Sequence, residues 1–240
     1  MQRVRLLSLV IAAALLLCAL VASPTAPSLE CPVRSQSPPS ARRITRHVSK
    51  PYAGDLSIFE DPERDQKLQI NRVMDLLKIK EGSSVADIGA GSGWFTVRAA
   101  RRVTASGIVY AVEINRDYLK HIQERAAKEK LSNIYTVLGR EDDPVLPPES
   151  IDAVLILKTY HEIAQPIRLL AHLRQALRPG ALVGVIDRDG NGKNHGIDSR
   201  VVIEEAKEAG FALVEQYDFV KHDGMDYFLV FRVTTDSPKD

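Results

Sequence analysis

The sequence predicts one α/β domain, a parallel sheet with helices on both faces, closed by an antiparallel strand pair. From Tyr52 onward, strand-like runs alternate with helical segments of about ten residues, the spacing of parallel crossover units. The run Asp152–Leu157 is almost wholly apolar, the mark of a strand covered on both faces. The last two strands are joined by a turn too short for a crossover, so they must run antiparallel.

Each element follows from its own pattern. Glu63–Leu77 places Leu68, Ile70, Val73, Met74 and Leu77 at helical spacing and reads as one helix. Ser83–Ile88 is a short apolar strand running into Gly89, and Trp94–Arg102 reads as the helix that follows. Gly107–Glu113 is a strand, Asp117–Lys130 a charge-rich helix, and Asn133–Leu138 the next strand. After the strand at Asp152–Leu157 comes a helix at Pro166–Leu177, stopped by Arg178-Pro179-Gly180. Ala181–Asp187 is a strand and Ser199–Ala209 the last helix. Phe211–Phe219 and Tyr227–Val233 close the sheet, with the turn at Lys221–Gly224.

Composition narrows the function classes. The chain has 240 residues, 45% hydrophobic and 26% charged, the balance of a globular protein rather than a disordered or fibrous one. The two cysteines, Cys18 and Cys31, both precede the folded part, which excludes a disulfide scaffold and a cysteine-rich zinc module. The net charge of +1 hides an asymmetry: residues 51–240 carry 25 basic and 30 acidic side chains, a net −5. A surface of that sign does not attract a phosphate backbone, so no nucleic-acid partner is expected.

Residues 1–22 have two arginines followed by the apolar run Leu6–Ala22, the form of a signal peptide or membrane anchor. The expected location is therefore exported or membrane-anchored, and cytoplasmic only if the start codon is misassigned. Residues 23–50, rich in Pro and Ser, read as a disordered linker, leaving 51–240 as the domain.

The loop after the first strand carries the chemistry. Asp87-Ile88-Gly89-Ala90-Gly91-Ser92-Gly93 lies between a strand and a helix, where glycines let a backbone approach a ligand. A dinucleotide fingerprint needs a third small residue at position 94, where the chain has Trp94. Asp87 does little for a pyrophosphate but suits an ammonium group, and S-adenosylmethionine carries an ammonium and a sulfonium without phosphate. Glu113 ends the second strand, where an acid accepts both hydroxyls of a ribose.

On these residues the sequence resembles the class I S-adenosylmethionine-dependent methyltransferases over roughly residues 52–233. Asp87–Gly93 resembles their first motif, Val112-Glu113 the second, Gly139–Pro147 the third, and Leu173–Gly180 the helix and turn before the fifth strand. The nearest flavour is the small-molecule group with the quinone-biosynthesis C-methyltransferases. The resemblance implies a single Rossmann-like domain whose sheet is ordered 3-2-1-4-5-7-6 with the last strand antiparallel. It implies S-adenosyl-L-methionine as cofactor, held by Asp87, Gly89, Gly91, Gly93 and Glu113. An acid usually follows the third-motif glycine directly; here Arg140 does, and counting back from Leu146-Pro147 prefers Asp142, with Glu141 second.

The fourth strand ends in Lys158-Thr159-Tyr160-His161-Glu162, the region that faces the methyl group in the family. Lys158 is assigned to the cofactor, and His161 and Tyr160 to catalysis, His161 as a base tunable near neutral pH. Against these stand plainer readings: a His bonded to its own loop, Trp94 packing the first helical turn, and His195 as a polar loop residue. Tyr52, Phe59, Asp61 and Arg64 lie where the family places its substrate cover. No His, Asp or Glu spacing signals a metal site. The expected function is methyl transfer to a small, lipophilic acceptor, with an N-terminal segment suited to membrane association; the oligomeric state is open. The rivals are a non-catalytic cofactor-binding protein and a nicotinamide oxidoreductase.

Overall fold

A computed structural model describes residues 46–191 and 195–234, all within a unit spanning Arg43–Asp240. The leader at 1–22 and most of the linker at 23–50 lie outside the described residues. The core is a seven-stranded sheet in the order β3-β2-β1-β4-β5-β7-β6. Its strands are β1 (Ser84–Ile88), β2 (Ile108–Glu113), β3 (Ile134–Leu138), β4 (Ile151–Leu157), β5 (Leu177–Arg188), β6 (Phe211–Tyr217) and β7 (Asp226–Val233). The first five strands pair in parallel, and β7 inserts antiparallel between β5 and β6. This is the order that the family resemblance implies.

The helices are α1 (Arg64–Leu68), α2 (Ile70–Leu76), α3 (Trp94–Val103), α4 (Arg116–Lys128), α5 (Pro166–Ala176) and α6 (Ser199–Glu208). Successive side chains of a strand face opposite ways. In β4, Ala153, Leu155 and Leu157 join the core under α2 and α3, while Val154 and Ile156 join the core under α5 and α6. Both faces are therefore dry, which is why β4 carries so few polar residues.

Two elements differ from the sequence reading. The helix expected over Glu63–Leu77 is broken at Gln69, whose left-handed backbone (φ 47°) ends α1 and starts α2. Its amide donates to the Phe219 carbonyl (3.2 Å), a tertiary contact that helical periodicity does not encode. β5 begins at Leu177, before Arg178-Pro179-Gly180, because Leu177 pairs with Ile151 across a register shift.

The end of the expected linker packs on the domain. Arg46 pairs with Glu205 of α6 (2.7 Å) and donates to the carbonyls of Tyr160 (3.1 Å) and Ile163 (2.5 Å). Ser49 is buried, and its N–H donates to the His161 carbonyl (3.0 Å).

Candidate active site at the carboxyl ends of the strands

Parallel strands deliver their carboxyl ends to one edge of the sheet, and a cavity of about 700 Å³ opens there. Its floor is the β1–α3 turn. Gly89, Gly91 and Gly93 all adopt positive φ (72°, 53° and 73°), a conformation glycine reaches without strain. At Gly89 the need is also steric, since a Cβ would come within 2.6 Å of Thr159 Oγ1. Around Gly91 the space is open, with a Cβ meeting nothing nearer than Phe59 at 3.8 Å.

Glu113 is buried at the end of β2, beside this turn. Its carboxylate accepts from the backbone N–H groups of Gly91 (3.1 Å), Ile114 (2.8 Å) and Asn115 (3.1 Å). Three donors fix the side chain and leave acceptor capacity on the cavity side. Asp87, 2% exposed, accepts from Thr96 Oγ1 (2.6 Å). Burial pushes its carboxyl up to about 7, against the opposing pull of the Thr96 hydrogen bond and the Arg64 charge. Arg64 itself is pushed down to about 10 by burial. Its guanidinium lies 4.4 Å from the Trp94 ring, with Arg98 at 3.9 Å from that ring. Trp94 thus fills the position where a dinucleotide loop needs a small residue, and it also lines the cavity.

The expected cofactor residues divide. Asp87, Gly89, Gly91, Glu113, Glu141 and Lys158 line the cavity, whereas Gly93 and Asp142 do not. Gly93 instead starts α3, where a Cβ would press on Ile122 at 3.1 Å. Of the two acids weighed for the third motif, Asp142 pairs with Arg168 (3.0 Å), and Glu141 lines the cavity. Lys158 reaches the wall, but its ammonium pairs with the buried Asp226, which also holds Lys221 (3.1 Å).

The catalytic pair divides in the same way. Tyr160 is fully buried away from the cavity, and its hydroxyl donates to Glu205 (3.0 Å), so it is not placed to touch an acceptor. His161 lines the cavity, and its Nδ1 lies 2.9 Å from Asp187 Oδ1. Nδ1 donates to the Asp187 carboxylate, which leaves Nε2 as the ring nitrogen turned toward Glu162. Nε2 lies 3.7 Å from Glu162 Oε1, and the His161 ring meets His195 edge-on with centroids 5.7 Å apart. The sequence spacing offered no metal cluster, yet the fold gathers His161, Glu162 and His195 with ligand atoms within 4.8 Å of one another.

Over the cavity lies the segment before α1. Tyr52 N–H donates to Glu162 (3.2 Å), and Tyr118 of α4 donates to the carbonyls of Tyr52 (3.3 Å) and Gly54 (3.1 Å). Phe59 packs edge-on against Tyr52 at 5.4 Å, and Glu60 is tied by Ser92 (2.7 Å) and Arg125 (2.6 Å). Asp61, expected in this cover, pairs with Lys67 (2.8 Å) on the exposed side. Glu162 belongs to the strand-end run read from sequence as facing the methyl group, whereas Asp187 and Tyr118 were not singled out, although Asp187 is an acid at a strand end like Asp87 and Glu113.

Comparison with known proteins agrees with this geometry. Residues 85–180 match the family model described as a methyltransferase domain. The chain is 23% identical over 114 residues to demethylmenaquinone methyltransferase of Listeria monocytogenes, covering 48% of each chain. It is 27% identical over 114 residues to nocamycin O-methyltransferase of Saccharothrix syringae, covering 48% of this chain and 41% of that one. The chain thus spans about half the length of the curated relatives it matches. Among solved structures it resembles a SAM-dependent methyltransferase of Aquifex aeolicus, with a TM-score of 0.68 and 22% identity, over 76% of this chain and 100% of that one. The fold is that of solved S-adenosylmethionine-dependent methyltransferases, residues 85–180 match a methyltransferase domain, and the cofactor that both imply is S-adenosyl-L-methionine.

Proposed function

We propose that this class I methyltransferase domain moves the methyl group of S-adenosylmethionine onto a small, lipophilic acceptor. The observation that carries the reading is the pairing of Glu113 with the open glycine turn on the floor of a largely apolar cavity. Glu113 offers a fixed carboxylate for paired ribose hydroxyls, and Asp87 a buried carboxyl for the ammonium group. Asp87 ahead of the turn and Trp94 in place of the third small residue disfavour a pyrophosphate, which argues against the nicotinamide reading.

The cofactor supplies an electrophilic methyl group whose leaving group is a neutral thioether. Charge is dispersed on the way to the transition state, so excluding water and aligning the partners provides much of the rate. Tyr52, Phe59 and Tyr118 provide that exclusion from above, and the glycine turn provides it from below. An acceptor that must lose a proton meets His161 Nε2, with Asp187 behind Nδ1 to hold the ring and stabilise its protonated form.

The test is incubation of the full chain with methyl-labelled S-adenosylmethionine and a panel of phenols, quinols and amines differing in lipophilicity. Label entering an organic-extractable phenol or quinol supports the proposal. Cofactor binding without transfer to any acceptor supports the non-catalytic rival. The exported or anchored location read from residues 6–22 is likewise a proposal, tested by fractionating cells that express the full chain.

A further inference from the structure

We propose that His161, Glu162 and His195 form a binding site for a divalent first-row transition metal of the zinc class at the acceptor end of the cavity. The first support is the placement of the ligand atoms. With Nδ1 of His161 engaged by Asp187, Nε2 is the nitrogen left to bind a metal, and it lies 3.7 Å from a Glu162 carboxylate oxygen. Zinc bonds of about 2.0–2.1 Å in a tetrahedron put neighbouring ligand atoms roughly 3.4 Å apart, close to this separation. His195 brings a third ligand atom, all three lying within 4.8 Å, and as an exposed loop residue it has room to close in.

The second support is independent of the cluster itself. A metal-ligating histidine almost always donates its other ring N–H to a carboxylate, which fixes the tautomer and raises ligand basicity. Asp187, 0% exposed, does this for His161 and is held in turn by N–H donors from His161 (3.1 Å) and Arg188 (2.8 Å). Two imidazoles select zinc, cobalt, nickel or iron over magnesium or calcium, which prefer all-oxygen sites. Three protein ligands leave a position open toward the cavity, as catalytic rather than structural zinc sites do. On the methyl-transfer reading that position takes an oxygen of the acceptor, and the metal then eases loss of its proton in place of His161 Nε2, which serves as base only in the metal-free site; metal binding itself does not depend on that reading.

The experiment is a Co²⁺ titration of the chelator-treated full chain, followed by visible absorption and then displaced with Zn²⁺. One Co²⁺ per chain is expected, with ligand-field bands, no thiolate charge-transfer absorption, displacement by Zn²⁺ and none by Mg²⁺. H161Q and H195Q should each weaken binding at least about a hundredfold, and D187N by about 10- to 100-fold. H222Q, remote from the cavity, should leave it unchanged. H195Q alters only an exposed loop side chain, so its loss of metal with S-adenosylmethionine binding intact separates a ligand role from misfolding. No Co²⁺ spectrum, or a spectrum that survives both H161Q and H195Q, overturns the site. Metal binding by these residues without cofactor binding keeps the site and overturns the methyl-transfer reading instead.

Discussion

Asp87 and Glu113 are both buried acids at strand ends, yet they make opposite predictions. The raised carboxyl of Asp87 gives the unliganded protein stability that is fully present below the unfolded value near 4 and lost as pH rises through about 7. D87N should remove that loss, so denaturant unfolding should find the variant more stable than the parent at about pH 8 and similar at about pH 4. A cation bound beside Asp87 favours the ionised form, so S-adenosylmethionine affinity should rise with pH across that window in the parent. In D87N it should be weaker and flat. Glu113 already accepts from three backbone N–H groups, so its contribution is to the ligand's hydroxyls. E113Q should cost about 2–3 kcal/mol of cofactor binding, or roughly 30- to 150-fold in Kd by calorimetry. Both acids were legible because strand, acid and glycine turn are adjacent in sequence. Tyr160 was misread because a single turn of 3-10 helix, Tyr160–Glu162, sends neighbouring side chains to different sides. Which of Glu141 and Asp142 lines the cavity was not legible, because a loop has no period to show which residue faces inward.

Elements meet at the cavity through contacts that bind distant segments. The β1–α3 turn fits against the end of β4, so G89A faces both a left-handed backbone, costing about 1–2 kcal/mol, and collision with Thr159. Denaturant unfolding should show a loss of at least about 2 kcal/mol, partly recovered in G89A/T159A. Arg46 binds the carbonyls at both ends of the turn that presents His161, as well as Glu205. R46A should destabilise the domain by about 1–3 kcal/mol and raise the acceptor KM more than it lowers kcat. Composition assigned Arg46 to the linker because Pro and Ser density reports a lack of core residues, not the tertiary role of one arginine. The break at Gln69 escaped notice for a similar reason, since apolar spacing continues through a residue whose left-handed backbone is held by a distant carbonyl.

The molecule as a whole was readable from alternation. Apolar strands separated by helices imply a parallel sheet, the short final turn requires an antiparallel pair, and an open sheet of this kind collects its ligand groups at one edge. What alternation does not convey is which residues meet across that edge: His161 and His195 follow different strands, and the sheet order alone brings them together. The cavity's apolar walls and fixed acids make cofactor identity the central claim. It is tested most directly by calorimetric titration of the full chain with S-adenosylmethionine and, on the same protein, with NADH. Binding of S-adenosylmethionine that is weakened in E113Q, with no heat from NADH, is the predicted result. Binding of NADH, or S-adenosylmethionine binding indifferent to E113Q, would contradict it.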